Sequence, residues 1–426
     1  MIFGGDTIIP MGAGKRFSRG RREYNGYFII SVVFLAAAFT IGGSNYAFGL
    51  FIEPLEDTYN WNRTAIQASL SFMAVGSLAA PFLGRLIDLY GAKVIMVTSL
   101  LIMALSFALR PLITELWHWY VLSFFQFVCF LGVTVLPSGR LAAIWFPKSK
   151  GRYLGIMAAG NNFGGATMPP LTWFLISMVS WQAAFLAYSS IAVLIALMVI
   201  LVVHEDPLFD PDKETSDASV VGTSDISLIG SSVKEALYTT RFYTMTLAMV
   251  MGSFTYGGVL PWISAHLINE GMSAESVPHA VTLMAIFGIM GKLVFGYLAE
   301  RITARRAMIL SLGGQTVFIL LLTGYASTFF VWIGVPLYGL FMGAWGALVP
   351  LIILENFGAK RFGSISGLVN LAMSIAFAAG PLIAGTIFDA TLSYSPTFIV
   401  MAILFIIGII SIFNTPQPES QPQSAV

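Results

Sequence analysis

The stretch AIFGIMGKLVFGYLAER, residues 285–301, holds one lysine, Lys292, with Gly288 and Gly296 four residues to either side, in a run apolar enough to lie in lipid. A charged side chain at mid-membrane depth costs about 2.5–3.5 kcal/mol on insertion scales, so it marks an ion pathway, an anion site or an internal counter-ion. Counted from the end of the run at Glu300, Lys292 lies about 12 Å deep at 1.5 Å per residue, farther than a lysine stem reaches, and snorkelling relieves it only in part. Both glycines share its face of the helix and leave room beside it. Two readings stand: a cation facing a cavity, where it would pair with an anionic solute, or an interfacial or structurally paired one.

Other polar groups sit in comparable runs. Arg140, in VTVLPSGRLAAIWF, reads as a second anion contact or as an interfacial arginine; Arg110, followed by Pro111 at a span end, reads as interfacial. Asn45 with Tyr46, Asn161 with Asn162, Tyr256, Trp345 and Asn370 are candidates to line a binding site with Lys292, or to hydrogen-bond helix to helix, since buried amides need partners. His266, of the residue type whose unperturbed pKa lies near neutrality, is a candidate proton site or an interfacial histidine. No Asp or Glu falls in mid-membrane, so any proton carried through these runs would sit on an acid at a span end, on His266 or on a bound molecule. No P-loop or catalytic cluster is present, and the single cysteine, Cys129, permits neither a disulfide framework nor a zinc site. No cofactor and no enzymatic activity is expected.

The elements that carry these groups follow from composition. Of 426 residues, 57% are hydrophobic and 10% charged, against about 25% charged in soluble domains. Apolar runs recur along the chain, and a hydrocarbon core of about 30 Å needs about 20 residues per helix. Continuous apolar runs exclude the alternation of a barrel, so the expectation is an all-α membrane protein. Spans are expected near 27–52, 63–87, 93–113, 117–146, 151–176, 180–203, 240–268, 279–299, 304–325, 328–355, 362–388 and 393–413. These make two six-helix bundles, 27–203 and 239–414, with a tail at 1–26, a polar acidic linker at 204–238 and a second tail at 415–426. With the amino terminus cytoplasmic, only Arg63 of the 22 Lys and Arg falls in an outer loop and Arg110, Arg140 and Lys292 fall within spans, leaving eighteen on the inner side. That asymmetry puts both termini in the cytoplasm of a cell-membrane protein. The net charge of +1 gives no sign of nucleic-acid binding.

The halves repeat at a shift of 212 residues: Gly84 matches Gly296, Asp88 matches Glu300, Gly155 matches Gly367, and Pro169 matches Pro381. GRLIDLYGAK is thus echoed by GYLAERITARR. Two repeats joined by a linker are the mark of an alternating-access transporter with its site between them near the midplane. The counterpart of Lys292 is Ala80, so the lysine is not part of the shared scaffold.

On these residues the chain resembles the major facilitator superfamily over nearly its full length. Gly84, Arg85, Asp88, Gly91 and Lys93 fit its loop motif, with Leu89 where a basic residue is usual. Within the superfamily, YAFGLFIEPLEDTYNWNRTAI, WFPKSKGRYLGIMAAGNNFGG and GKLVFGYLAER resemble the monocarboxylate transporters and the oxalate/formate antiporters. The resemblance implies twelve helices and a gating loop, here Gly84, Arg85, Asp88, Gly91 and Lys93 with the repeat at Glu300 and Arg301, in which Asp88 takes a neighbouring helix N-terminus or an arginine. It also implies that Lys292 stands where those families hold the substrate carboxylate with an arginine, and that Gly288 stands where animal monocarboxylate transporters carry an aspartate linked to proton coupling. The expectation is a secondary transporter of a small organic anion, foremost a monocarboxylate, acting as a monomer in the lipid bilayer, with H⁺ as a candidate co-substrate. A carboxylate exchanger, a drug-efflux protein and a transporter-like sensor are the alternatives.

Overall fold

The computed structural model describes residues 12–205, 230–273, 276–323 and 328–416. Residues 1–11 and 417–426 of the expected tails and 206–229 of the expected linker lie outside them. The first half runs through α1 (Gly12–Ile41), α2 (Ile52–Tyr59), α3 (Arg63–Ala68), α4 (Phe72–Tyr90), α5 (Ala92–Leu109), α6 (Leu116–Val133), α7 (Val135–Trp145), α8 (Lys150–Met178) and α9 (Trp181–Val202). The second runs through α10 (Val233–Leu237), α11 (Thr240–Phe254), α12 (Ile263–Asn269), α13 (Val277–Ile302), α14 (Ala304–Leu321), α15 (Thr328–Gly343), α16 (Trp345–Phe357), α17 (Phe362–Thr391) and α18 (Ser395–Phe413). The chain is an all-α membrane protein, because a helix satisfies every backbone polar group within its own segment.

Ten helical spans among the described residues are long and apolar enough to cross a membrane, and an eleventh forms if Thr240–Val259 and Ile263–Asn269, bent by 55°, count as one. The remaining expected span, 151–176, falls on α8, which has 29 residues but is not apolar enough to join them. Its two asparagines and its glycines dilute it, and it packs on α1 and α13. α1 begins at Gly12, so part of the expected tail is helical. Likewise, part of the expected linker is ordered: Gly230 bridges Gly358, and α10 carries a capping box between Ser232 and Glu235.

The hydrophobic side chains gather into two cores, one from the first half and one from the second, the latter joined by Ala142, Ala143 and Leu154. Between the halves α4 packs on α17 and α8 on α13. The turns also repeat at 212 residues: Gly91 has φ +86° and its counterpart Thr303 has φ +84°. Such a φ suits glycine and strains a β-branched residue, yet the repeat keeps the turn, and Thr303 Oγ1 accepts from Arg306 N at 3.4 Å.

In each half the first long span breaks into a π-helical turn, Gly42–Tyr46 and Thr255–Val259, the kind of bulge that clusters at functional sites. A polar side chain from another helix ties down each one: Gln126 Nε2 donates to Ser44 Oγ at 2.9 Å, and Tyr338 hydrogen-bonds Thr255. Arg110 corrects the sequence reading. It is buried, not interfacial, with its guanidinium on Gln126 Oε1 and over the rings of Trp119 (4.2 Å), Phe185 (4.8 Å) and Phe107 (5.3 Å). Those rings come from three helices, and that convergence favours burying the charge. Replacing Arg110 with Met keeps the stem but leaves Gln126 Oε1 without this donor, and should cost about 1–3 kcal/mol, read as a lower Tm.

Candidate functional site

At the end of the bundle that bears the linker, side chains of each half reach helix starts of the other. Asp88, at the last turn of α4, is 2% exposed and points its carboxylate at the first turn of α17. It accepts from Gly363 N at 2.9 Å, Ser364 N at 2.8 Å and Ser364 Oγ at 2.6 Å, with Arg140 at 3.7 Å. A carboxylate at a helix N-terminus satisfies orphan N–H groups and the dipole together. Its repeat partner Glu300 accepts from Arg152 N, in the first turn of α8, at 2.7 Å. Arg152 plus 212 is 364, so two carboxylates clasp two helix starts in reciprocal fashion. Only glycine fits beneath the first clasp, since a Cβ at Gly84 would strike the backbone of Gly363.

Arg140 is 2% exposed and pairs with Glu205 at 3.1 Å as well as with Asp88. Of its two sequence readings, the structure favours the arginine of the inner end: it sits at the linker end of the bundle between two carboxylates. Glu205 also takes the N–H groups of Ala92 and Lys93 at the start of α5, beside Gly91. Arg85 is exposed, and Arg301 lies on its own helix neighbour Tyr297, 4.8 Å from the ring centroid.

Above the clasps, α8 and α13 form an antiparallel seam. Gly151 lies on Gly296 and Gly155 on the carbonyl of Lys292, too close for a Cβ on either. Lys292 follows, 7% exposed, donating to Ala158 O at 3.0 Å and to Asn162 Oδ1. Asn162 Nδ2 in turn donates to Ala285 O at 3.3 Å. Among the described residues no carboxylate pairs with Lys292. Ala285 is exposed and Asn162 half-buried, so this end of the seam is less covered than the glycine contacts below it. Asn161 is also half-buried on α8, while Tyr46, on the first π-helical turn, is 53% exposed with its ring against Gly165. Asn45 and Tyr256 are half-buried on the two π-helical turns, Tyr256 with its ring 5.9 Å from Phe377.

Three candidates make their contacts within the second half. Trp345 is 4% exposed and packs over Gly252 inside the second half. The amide of Asn370 donates to Ser366 O of its own helix at 2.8 Å. His266 is fully buried in the second half, its Nε2 2.6 Å from Leu322 O, its Nδ1 3.9 Å from Glu270 and its ring against Phe398. Residues that sequence reading passed over include Ser364 and Arg152, which the 212-residue shift could have paired. Glu205 had no such signal, since its counterpart is Gln417.

Two halves with reciprocal clasps at one end and an uncompensated cation on their seam define a membrane transporter. The family model of the Major Facilitator Superfamily matches residues 33–278 and 242–426, and the chain belongs to that superfamily. It is 23% identical over 390 residues to a hexuronate transporter of Bacillus subtilis, covering 85% of this chain and 88% of that one. With monocarboxylate transporter 12 of Xenopus laevis it shares 24% over 325 residues, covering 70% and 69%. The Escherichia coli fucose:proton symporter superposes with a TM-score of 0.71 at 15% identity, over 92% of this chain and all of that one; the likeness is one of fold.

Proposed function

We propose that this transporter moves small organic monoanions, foremost monocarboxylates, by alternating access, with the carboxylate paired to Lys292. The carrying observation is the buried ammonium on the seam between halves with two neutral acceptors and, among the described residues, no carboxylate. Arg110, the other buried cation held without a carboxylate among the described residues, adds to a positive field that favours anions. One cation on the seam suits one carboxylate, and Arg140 is committed elsewhere, which disfavours dianions. Both kinds of named relative, hexuronate and monocarboxylate transporters, have names that specify carboxylates.

Each half then rocks about the central site, with the linker end closed in this state. By the distribution of Lys and Arg, that end faces the cytoplasm. Every described Asp and Glu lies toward one end of the bundle or the other, so an accompanying H⁺ travels on the substrate or on an end-of-span acid, not on a midplane carboxylate.

The test is uptake into proteoliposomes of lactate, pyruvate, acetate, formate, oxalate and glucuronate, with and without a pH gradient. Saturable uptake of the monoanions, with oxalate at least tenfold slower, is the expected result. Movement of neutral sugars or amphipathic cations, with the carboxylates excluded, would overturn the reading.

A further inference from the structure

We infer that Asn162 is the latch of this carrier: it holds the Lys292 ammonium across the two halves when no anion is bound, and a substrate carboxylate opens the seam by taking that ammonium away. The inference rests on the reading of Lys292 as the anion's partner and concerns what the anion displaces.

Four features support it. Both acceptors of the ammonium, Ala158 O and Asn162 Oδ1, belong to α8 of the first half, whereas Lys292 belongs to α13 of the second. Every hydrogen bond this cation makes is therefore a bond between halves. The orientation of the Asn162 amide is fixed by its two ends, for Nδ2 donates to Ala285 O and only Oδ1 is left to face a cation. One side chain thus grips α13 at 285 and 292, two turns apart on one face. Gly288 lies between these points, and a Cβ there would meet Asn162 Nδ2 at 3.7 Å. The amide from the opposite half therefore fills the space beside the lysine.

The latch sits at the less covered upper end of the seam. Below it the contacts are backbone on backbone, at Gly155 and Gly151, and then the Glu300 clasp. A carboxylate arriving from the less covered side meets the ammonium first and outcompetes a neutral amide for it, since a hydrogen bond between two ions is the stronger. A ligand shifts a conformational equilibrium only by binding one state better than the other. Here the difference is explicit: the state with the linker end closed gives up the Lys292 to Asn162 bond on binding, and the open state has no such bond to lose.

The test uses the full chain in nanodiscs for hydrogen exchange and in proteoliposomes for uptake, with lactate as probe. In Asn162→Ala, exchange in 150–158 and 293–302 should rise without ligand, and the apparent KM should fall about tenfold, as for one charge-assisted bond removed. In Asn162→Asp, which sets a carboxylate against the same ammonium, exchange should fall and KM rise at least tenfold. A purely structural role for Asn162 would move both variants in the same direction, and that outcome overturns the latch. If the wild type moves no carboxylate, the substrate reading fails on its own, while ligand-free exchange in the two variants still decides whether Asn162 holds the seam.

Discussion

Replacing Lys292 with methionine should abolish carboxylate uptake, lowering kcat/KM by at least a hundredfold, while lowering stability by no more than about 1–3 kcal/mol. Both parts follow from the same geometry. The ammonium is 7% exposed and has no carboxylate within ion-pair range among the described residues. Truncating one member of a buried charge pair costs about 2–5 kcal/mol of binding, which sets the scale of the transport loss. For folding the terms oppose each other. The charge is held by a backbone carbonyl and an amide, and a methionine of similar length removes the desolvation cost of about 2.5–3.5 kcal/mol but loses two hydrogen bonds of about 1.5–3 kcal/mol each. Transport should therefore fall far more than stability does. Lys292→Arg should keep part of the uptake, because the cation persists and Gly346 leaves space next to the lysine stem. Uptake by Lys292→Met equal to wild type, measured beside its Tm, would remove the anion site from this residue.

What the sequence made legible followed from periodicity and from the repeat. Length and apolarity located the long helices, and the 212-residue shift paired Asp88 with Glu300 before either had a partner. The same arithmetic, applied to the helix starts, gives Ser364 and Arg152, which accounts for both clasps. It could not give Arg140 to Asp88 and Glu205, since neither Arg140 nor Glu205 has a charged counterpart in the other half: 352 is isoleucine and 417 glutamine. Functional asymmetry of this kind is invisible to a repeat.

The remaining misreadings share a cause. Arg110 read as interfacial because Pro111 marks a helix end, while the rings that enclose it come from positions 107, 119 and 185. Lys292 stood out on its own helix, but its partner lies 130 residues away on the opposite half. The two π-helical turns carry glycines that fit tight packing equally well. In lipid an isolated polar residue is conspicuous in sequence because it is costly, and its partner, often an ordinary asparagine or backbone carbonyl, is not.

The second large effect should come from Asp88. In Asp88→Ala the carrier should populate the state with its linker end open, and net uptake should fall about 10²-fold or more. Asp88 makes three hydrogen bonds to the start of α17 and an ion pair to Arg140, all while 2% exposed. Removing one member of such a buried cluster costs about 3–5 kcal/mol. Because the α17 contacts join the two halves, that cost falls on the closed state. A bias of about 5.5 kcal/mol is enough to invert a two-state equilibrium from 1:99 to 99:1, so this loss alone comes close to doing so. Glu300→Ala removes one bond from an exposed carboxylate, and a neutral-scale loss of about 1 kcal/mol should slow uptake less than tenfold. Asp88→Asn should fall between them, since an amide keeps an acceptor but loses the charge that Arg140 and the helix start favour. Spin labels on the linker-end turns of α4 and α17 would report the distance between halves directly. The ordering Asp88→Ala, then Asp88→Asn, then Glu300→Ala is the decisive result: equal distances in all three would mean that the clasps complete turns and do not hold the halves together.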